Sequence, residues 1–318
     1  MTKAVLITQS LQRDFIQPIS AHEPLPNKLH VGRDEAIRLL GHDPLTGPVA
    51  QLMAWARAQS PEDLTILHVR DWHDPSDARQ AEHLATFGAH CLRDSEGARL
   101  VLDIEQGLGP NEQLIDAIHL NDFEDTRLRE VLAAVAHDEP LRVGVVGVWT
   151  EAKVSFMLYD LKTRAGIADL ATSSALTASR SRLQHFNALE QLGRILGVNC
   201  FDSLAGLTGW LLPNGKSASL PAATRGVGPR VTRGGARENL PGGDADILAL
   251  LYRDSTEVAL SPLSGGFSGA NVFKAESVDV LGRAQAPSVL KLGPRQLIAT
   301  ERVAFDGTRN LGIRSNLG

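Results

Sequence analysis

Lys153 stands at a place in the chain where many enzymes hold a reactive side chain. The apolar run LRVGVVGVW (141–149) has the composition of a buried strand, and the helical pattern EAKVSFMLYDLKTR (151–164) follows it directly. Lys153 therefore falls in the first turn of the helix, where the helix dipole disfavours a positive charge and lowers the pKa of the ammonium. A lysine with a lowered pKa could form a Schiff base or bind an anion.

Lys153 also has a simpler interpretation as a surface residue. The stem of the side chain could cover the turn between strand and helix while the ammonium stays in solvent. Glu151, two residues earlier, offers the ammonium a local partner. From the sequence alone we favour this second interpretation.

The elements around this turn alternate in type through residues 1–212. Strand candidates that are apolar on both faces are separated by amphipathic helical patterns, which is typical of a parallel sheet covered by helices on both sides. We therefore predict an α/β fold with three layers, α/β/α, and a parallel sheet. The predicted strands are residues 4–8, 64–71, 141–149, 167–172 and 198–201, and the predicted helices are residues 47–59, 126–136, 151–164 and 181–196.

Residues 213–243 interrupt this alternation. The segment is rich in Gly, Pro, Ser and Arg and has no apolar periodicity, so it is predicted to be a flexible, locally basic linker. A new pattern begins at Asp244, with a short helical segment over residues 244–254. We therefore predict a first domain over residues 1–212 and a second over residues 244–318.

The composition of the chain excludes several classes of protein. Its 318 residues are 43% hydrophobic and 22% charged, with a net charge of −5, so neither nucleic acid nor an anionic membrane is an expected partner. Cys91 and Cys200 are the only cysteines, which excludes a disulfide framework and indicates a cytoplasmic protein. No apolar run approaches the ~20 residues that a transmembrane helix needs.

Six motifs in the first domain resemble those of the isochorismatase-like cysteine hydrolases, a family that includes the nicotinamidases. Each motif is weak alone, but the six occur in the family's order along some two hundred residues. The motifs are SLQRDF (10–15), VRDWHDP (69–75), FGAHCL (87–92), DFEDTRL (122–128), VVGVWTEAKV (145–154) and HFNAL (185–189).

The resemblance implies a catalytic triad that this chain has lost. The family uses a Cys at the start of the helix as nucleophile, an Asp after the first strand as base, and a Lys that supports the thiolate and the oxyanion. In this sequence the three positions hold Lys153, Ser10 and Ala117, and Asp14, which the first motif retains, is a further candidate for the site. We therefore predict that the family's reaction is not available by the family's mechanism.

The resemblance to nicotinamidases also implies a divalent metal beside the substrate. The matching ligands are Asp71, His73 and His90, and His83 could be a fourth. Imidazole with carboxylate suits Zn²⁺ or Fe²⁺. The alternative is a purely structural turn, because family members without metal also carry Arg-Asp-x-His, and this alternative is the one we favour from the sequence.

The second domain resembles the N-terminal lobe of a kinase-like phosphotransferase of the aminoglycoside-kinase type. The resemblance implies that Gly265, Gly266 and Gly269 approach the phosphates of ATP, that Lys291 pairs with the α- and β-phosphates, and that Glu301 orients this lysine. ATP with Mg²⁺ is thus the implied cofactor. No catalytic-loop Asp or metal-binding Asp follows before Gly318, so we expect either a truncated chain or a lobe that survives as a binding module.

Together these patterns predict an inactive isochorismatase-type domain that senses a ligand or scaffolds a partner, fused to part of a phosphotransferase-like domain. Two alternatives remain: an active hydrolase with a rearranged site, and phosphotransfer by a longer native chain. The expected partners are a small molecule or a protein. A homo-oligomer is also expected, because members of the resembled family commonly assemble.

Overall fold

The chain divides into two compact units, Met1–Leu220 and Pro221–Gly318. The computed structural model describes residues 2–20, 23–41, 44–215, 218, 229–234, 236–237, 242–252, 255–263, 270–279, 282 and 284–310.

The first unit is built on a six-stranded parallel sheet in the order β3-β2-β1-β4-β5-β6. Its strands are β1 Lys3–Gln9, β2 Leu64–Asp71, β3 Glu112–Ala117, β4 Leu141–Val148, β5 Asp169–Ala178 and β6 Asn199–Phe201. Its helices are α1 Arg13–Ile16, α2 Arg33–Leu40, α3 Pro48–Arg57, α4 Ala81–Phe87, α5 Leu128–Ala136, α6 Ser155–Thr163, α7 Arg182–Leu196 and α8 Leu204–Leu211.

The two faces of the sheet carry separate apolar cores. Along β1, Leu6 packs into one buried cluster, whereas its neighbours Val5 and Ile7 pack into the other. This arrangement follows from the alternation of side chains along a strand, which needs apolar residues at every position when both faces are covered. The predicted α/β fold with a parallel sheet and three layers is therefore confirmed.

The end of β4 lies unusually close to β1. Gly147 has φ +119°, and a Cβ at this position would lie 1.9 Å from the carbonyl oxygen of Gln9, so no other residue fits without a shift of the backbone. The peptide bond between Val148 and Trp149 is cis. The turn that follows, Thr150–Val154, is π-helical and leads directly into α6.

One strand of the first sheet is missing from the sequence-based prediction. Strand β3, EQLIDA, lies at the edge of the sheet beside β2, and only some of its side chains are buried. Because an edge strand is covered on fewer sides, its sequence lacks the continuous apolar run by which the other strands were recognised.

The second unit contains a five-stranded mixed sheet in the order β11-β10-β9-β7-β8. Strand β7 pairs parallel with β9, and the other pairs are antiparallel. The elements of this unit are β7 Arg230–Arg233, β8 Ala236–Arg237, α9 Gly242–Leu251, β9 Ser255–Pro262, β10 Asn271–Asp279, β11 Ser288–Leu292 and α10 Arg295–Asn310.

The prediction of a linker over residues 213–243 is wrong at both of its ends. Strands β7 and β8 lie inside it. Pairing of β7 with β9 gives its four residues, three of them polar, a hydrogen-bonded ladder that their own pattern does not suggest, and β8 pairs with β7 in turn. At the other end, Ala218 packs into the core of the first unit, and its N–H donates to Thr208 Oγ1 at 3.0 Å. The first unit therefore extends beyond residue 212.

In the part of the chain that the structure describes, no helix is both long and apolar enough to cross a membrane.

Candidate functional site

The site lies where the central strands of the first sheet end. Parallel strands have their carboxyl ends at one edge, which gathers the residues that follow them. Ala117 ends β3, Asp71 ends β2, Ser10 follows β1 and Lys153 lies in the turn after β4.

Lys153 is buried between two carboxylates, with 2% of its surface exposed. Its Nζ lies 2.6 Å from Asp122 Oδ1 and 2.9 Å from Asp71 Oδ1. The same atom donates a hydrogen bond to the carbonyl oxygen of His119 at 2.8 Å. The interpretation of Lys153 as a surface lysine is therefore wrong, and Glu151 is not its partner, since Glu151 Oε2 accepts a hydrogen bond from Ser179 Oγ.

The two carboxylates also reverse the expected shift of the lysine. Burial disfavours the ammonium, but the charges of Asp122 and Asp71 outweigh this effect and raise the pKa of Lys153 above its ordinary value. The weaker field of the helix start cannot compete with two ions in contact. Lys153 is therefore an ammonium at neutral pH, with no free lone pair.

Asp71 and Asp122 respond differently to the same environment. Burial opposes ionisation of Asp71, but the Lys153 ammonium holds its pKa below the usual value. Burial dominates at Asp122 and, together with the nearby Asp71 charge, raises its pKa to about 6. Asp71 is thus the stably ionised carboxylate of this cluster.

Polar side chains within the motifs fix these carboxylates in place. Gln12 forms two hydrogen bonds with the backbone of Asp71. Its Oε1 accepts from the Asp71 N–H at 2.7 Å, and its Nε2 donates to the Asp71 carbonyl oxygen at 2.6 Å. Thr126 Oγ1 donates to the carbonyl oxygen of Asp122 at 2.6 Å. The motifs thus support the loops that carry the charges.

Three histidines converge beside this cluster. One nitrogen from each of His73, His83 and His90 lies within 4.8 Å of the others, and the Nε2 atoms of His83 and His90 are 3.4 Å apart. His73 Nδ1 bonds Gln80 Oε1 at 2.9 Å and His90 Nδ1 bonds the Gly88 carbonyl oxygen at 2.7 Å. Because both partners can only accept, each Nδ1 carries a hydrogen, which leaves Nε2 as the nitrogen available to a metal.

This set of nitrogens fits a divalent metal. Burial lowers the pKa of His73, and burial together with the neighbouring histidines lowers that of His83 to about 4, so both rings are neutral at pH 7. His73 Nε2 is buried and accepts no hydrogen bond within the described residues. Neutral imidazoles with their second nitrogen held by an oxygen acceptor are the usual form of Zn²⁺ or Fe²⁺ ligands.

A pocket of about 350 Å³ opens above both clusters. Its buried lining residues, at the floor, include Asp71, His90 and Lys153. Aromatic walls rise from this floor to an exposed rim that carries two cations. The walls include Phe87, Trp149 and Phe156, and the rim includes Lys28 and Arg180.

The chain is similar in structure to solved proteins of one fold. The chain is similar to a nicotinamidase/pyrazinamidase from Bacillus subtilis (18% identity, 63% of this chain and 100% of that one, TM-score 0.50). It is also similar to an isochorismatase-like hydrolase from Alkaliphilus metalliredigens (19% identity, 66% of this chain and 100% of that one, TM-score 0.51). The six-stranded unit has the isochorismatase-like fold. No family model and no curated protein matches the chain.

The predicted triad positions hold a serine, an alanine and a lysine. Ser10 and Ala117 are buried, and Ser10 Oγ accepts a hydrogen bond from Gln9 Nε2 at 3.1 Å. Asp14 serves the loop that follows α4, because its Oδ2 accepts from the Cys91 N–H at 2.6 Å. Of the predicted positions, only Lys153 lines the pocket.

The predicted metal ligands of the isochorismatase-like fold are brought together in part. His73 and His90 converge with His83, whereas Asp71 is paired with Lys153 and lies outside the converging set. The reason is that a cation from the protein occupies the position next to Asp71.

Sequence reasoning missed the second carboxylate of this site, Asp122. A signal was available, because a lysine predicted at the edge of a buried parallel sheet requires a counter-charge, and Asp122 begins one of the quoted motifs. Gln80, which orients His73, carries no such signal.

The second unit brings together two of its predicted site residues. Lys291 on β11 forms an ion pair with Glu301 on α10, with Nζ 2.6 Å from Glu301 Oε1. Gly265, Gly266 and Gly269 lie outside the described residues.

Proposed function

We propose that the first unit binds a small molecule in its pocket and does not perform hydrolysis through a cysteine. The observation that carries this proposal is the Lys153 ammonium, which stands where the resembled hydrolases hold a thiolate. A permanently protonated amine between two carboxylates has no electron pair to attack a carbonyl carbon. Ser10 and Ala117 supply neither a base nor a second cation.

The proposal includes a divalent metal at the floor of the pocket. His73, His83 and His90 would hold it through ring nitrogens, with Gln80 and the Gly88 carbonyl oxygen fixing the orientation of two rings. A bound Zn²⁺ or Fe²⁺ would act as a Lewis acid toward a donor atom of the ligand.

Turnover assays test the proposal. Purified protein should hydrolyse neither nicotinamide, isochorismate nor simple amides. Lys153→Cys should not restore activity, because the substitution removes the only cation of the cluster and leaves the new thiol beside Asp71 and Asp122, whose negative charges disfavour a thiolate. Hydrolysis by the wild type that is abolished by Lys153→Met would contradict the proposal, provided the variant keeps its far-UV circular dichroism spectrum.

A second candidate is a hydrolase with a rearranged site. The converging histidines favour it, because their metal would face an accessible pocket. Turnover that disappears on chelation and in His73→Ala, but persists in the charge-reduced double variant Lys153→Met/Asp122→Asn, would select this candidate over the first.

For the second unit we propose weak nucleotide binding. The support is the ion pair between Lys291 and Glu301, which would orient the lysine toward phosphate oxygens. Binding of a fluorescent ATP analogue with Mg²⁺ should be lost in Lys291→Met. Lys274→Met is the matched control, because Lys274 lies on the neighbouring strand and is paired with Glu276 at 2.8 Å. Equal binding by both variants would reject the proposal.

A further inference from the structure

Two cations meet at the rim of the pocket in the first unit. Lys28 belongs to the segment between α1 and α2, and Arg180 follows the end of β5. Arg180 Nη1 donates a hydrogen bond to the carbonyl oxygen of Lys28 at 3.3 Å, which holds the guanidinium next to the lysine. Both side chains are exposed and line the same pocket.

These cations are not neutralised by acidic side chains. Throughout the described ranges, no carboxylate lies within ion-pair distance of Lys28 or Arg180. The pocket has two acidic lining residues, Asp71 and Glu151. Asp71 is paired with Lys153 at the floor, and Glu151 accepts a hydrogen bond from Ser179. Glu151 keeps its negative charge but lies beyond ion-pair distance of both cations, so the exposed part of the lining carries two positive charges that a ligand could meet.

We propose that Lys28 and Arg180 recognise a carboxylate on a small ligand whose planar apolar body lies between the aromatic walls. A guanidinium presents a planar fork that matches a carboxylate, and an adjacent ammonium adds a point charge. The walls of Phe87, Trp149 and Phe156 suit a ring, and a volume of about 350 Å³ admits only a small molecule. This inference rests on the proposed ligand-binding function and names the class of ligand.

The orientation follows from the charges at the two ends of the pocket. At the floor an anion meets charges of both signs, because Asp71 and Asp122 flank Lys153 beside the three histidines that would hold the proposed metal. At the rim it meets two cations. We therefore place the carboxylate of the ligand at the rim and its uncharged end at the floor.

Benzoate and benzamide provide a matched pair of probes, because they share shape and size and differ in charge. With the full chain loaded with Zn²⁺, calorimetry should give at least about tenfold tighter binding of benzoate. The ratio of the two affinities should fall to about one in the double variant Lys28→Gln/Arg180→Gln. Lys162→Gln, which removes a half-buried lysine of α6 that does not line the pocket, should leave the ratio unchanged.

The outcomes separate this inference from the function on which it rests. Equal affinities in the wild type would overturn the carboxylate inference while leaving ligand binding intact. A preference for benzoate that survives in the double variant but disappears with chelator would place the carboxylate on the metal and also overturn it. Binding of neither probe would overturn both proposals. Unchanged affinity for benzamide in the variants serves as the check that the pocket is still folded.

Discussion

The protonation of Lys153 depends on its two partners, Asp71 and Asp122. A buried ammonium costs several kcal/mol of desolvation, which close carboxylates can offset only when the geometry is good. Contacts of 2.6 and 2.9 Å meet that condition. The cluster of Lys153, Asp71 and Asp122 is therefore a buried ion network that stabilises only as a set.

Removal of the cation should destabilise the first unit strongly. Lys153→Met leaves two buried carboxylates without a counter-charge, and we expect a loss of about 3–5 kcal/mol in the free energy of unfolding. The double variant Lys153→Met/Asp122→Asn should recover part of this loss, because only Asp71 then remains charged. Urea denaturation at pH 7 measures the free energy of unfolding of both variants. If Lys153→Met is as stable as the wild type, the cluster of Lys153, Asp71 and Asp122 makes no net contribution to stability.

The three histidines should bind one metal per chain. Protein prepared without chelator and then equilibrated with Zn²⁺ should retain about one equivalent through gel filtration, because one nitrogen from each of three imidazoles already lies within 4.8 Å of the others. His73→Ala should abolish retention. His137→Asn removes a histidine from the end of α5, outside the cluster, and should retain zinc like the wild type. Equal retention by all three proteins would exclude this site.

Among the elements, strand β2 carries a histidine, His68, whose titration makes the stability of the fold depend on pH. His68 is buried on this strand, with Nδ1 2.7 Å from Thr8 Oγ1 on β1. Burial lowers its pKa from 6.5 to about 4, against the opposing charge of Glu112. The folded chain therefore holds His68 neutral over a range of pH in which the unfolded chain protonates it.

This difference should make the first unit less stable in acid. Since the pKa of His68 is lower in the folded state, its contribution is complete above about pH 6.5 and is lost as the pH falls toward about 4. Between pH 7 and pH 4.5 the loss from this group amounts to about 2–3 kcal/mol. His68→Asn cannot titrate, so its unfolding free energy should depend less on pH by that amount. Parallel pH profiles of the two proteins would rule out His68 as the cause.

At the scale of the whole molecule, the residues beyond position 212 contribute to the stability of the first unit. Ala218 adds a buried methyl group to the core, and its N–H bonds the buried hydroxyl of Thr208. Both contacts belong to the first unit, which extends to Leu220.

A fragment of residues 1–220 should therefore be more stable than one of residues 1–212. The longer fragment keeps the Ala218 contacts, and we expect a difference of about 1–2 kcal/mol from one hydrogen bond and one buried methyl group. Thermal and urea unfolding of the two fragments measure this difference. Ala218→Gly in the longer fragment tests the share of the methyl group, and identical stabilities of the two fragments would place the boundary at residue 212.

The sequence by itself determined the architecture of the first unit. Strands such as residues 4–8 and 141–149 are apolar on both faces apart from Thr8 and Arg142, which is typical of a sheet covered on both sides. The motifs also located the turn that carries Lys153, the strand end that carries Asp71 and the loop that carries His90. These inferences depend on local patterns, which are visible in the chain without its tertiary structure.

Only the tertiary structure decided the state of the site. Whether Lys153 is exposed or buried depends on Asp122, which is 31 residues away along the chain and comes from another loop. The convergence of His83 with His73 and His90, and of Lys28 with Arg180, likewise depends on loops meeting at one edge of the sheet. Strands β7 and β8 also depend on pairing between distant segments, because β7 pairs with β9 and β8 pairs with β7. Long-range pairing of charges and backbone groups leaves no periodic trace in the sequence, since each partner alone is an ordinary polar residue.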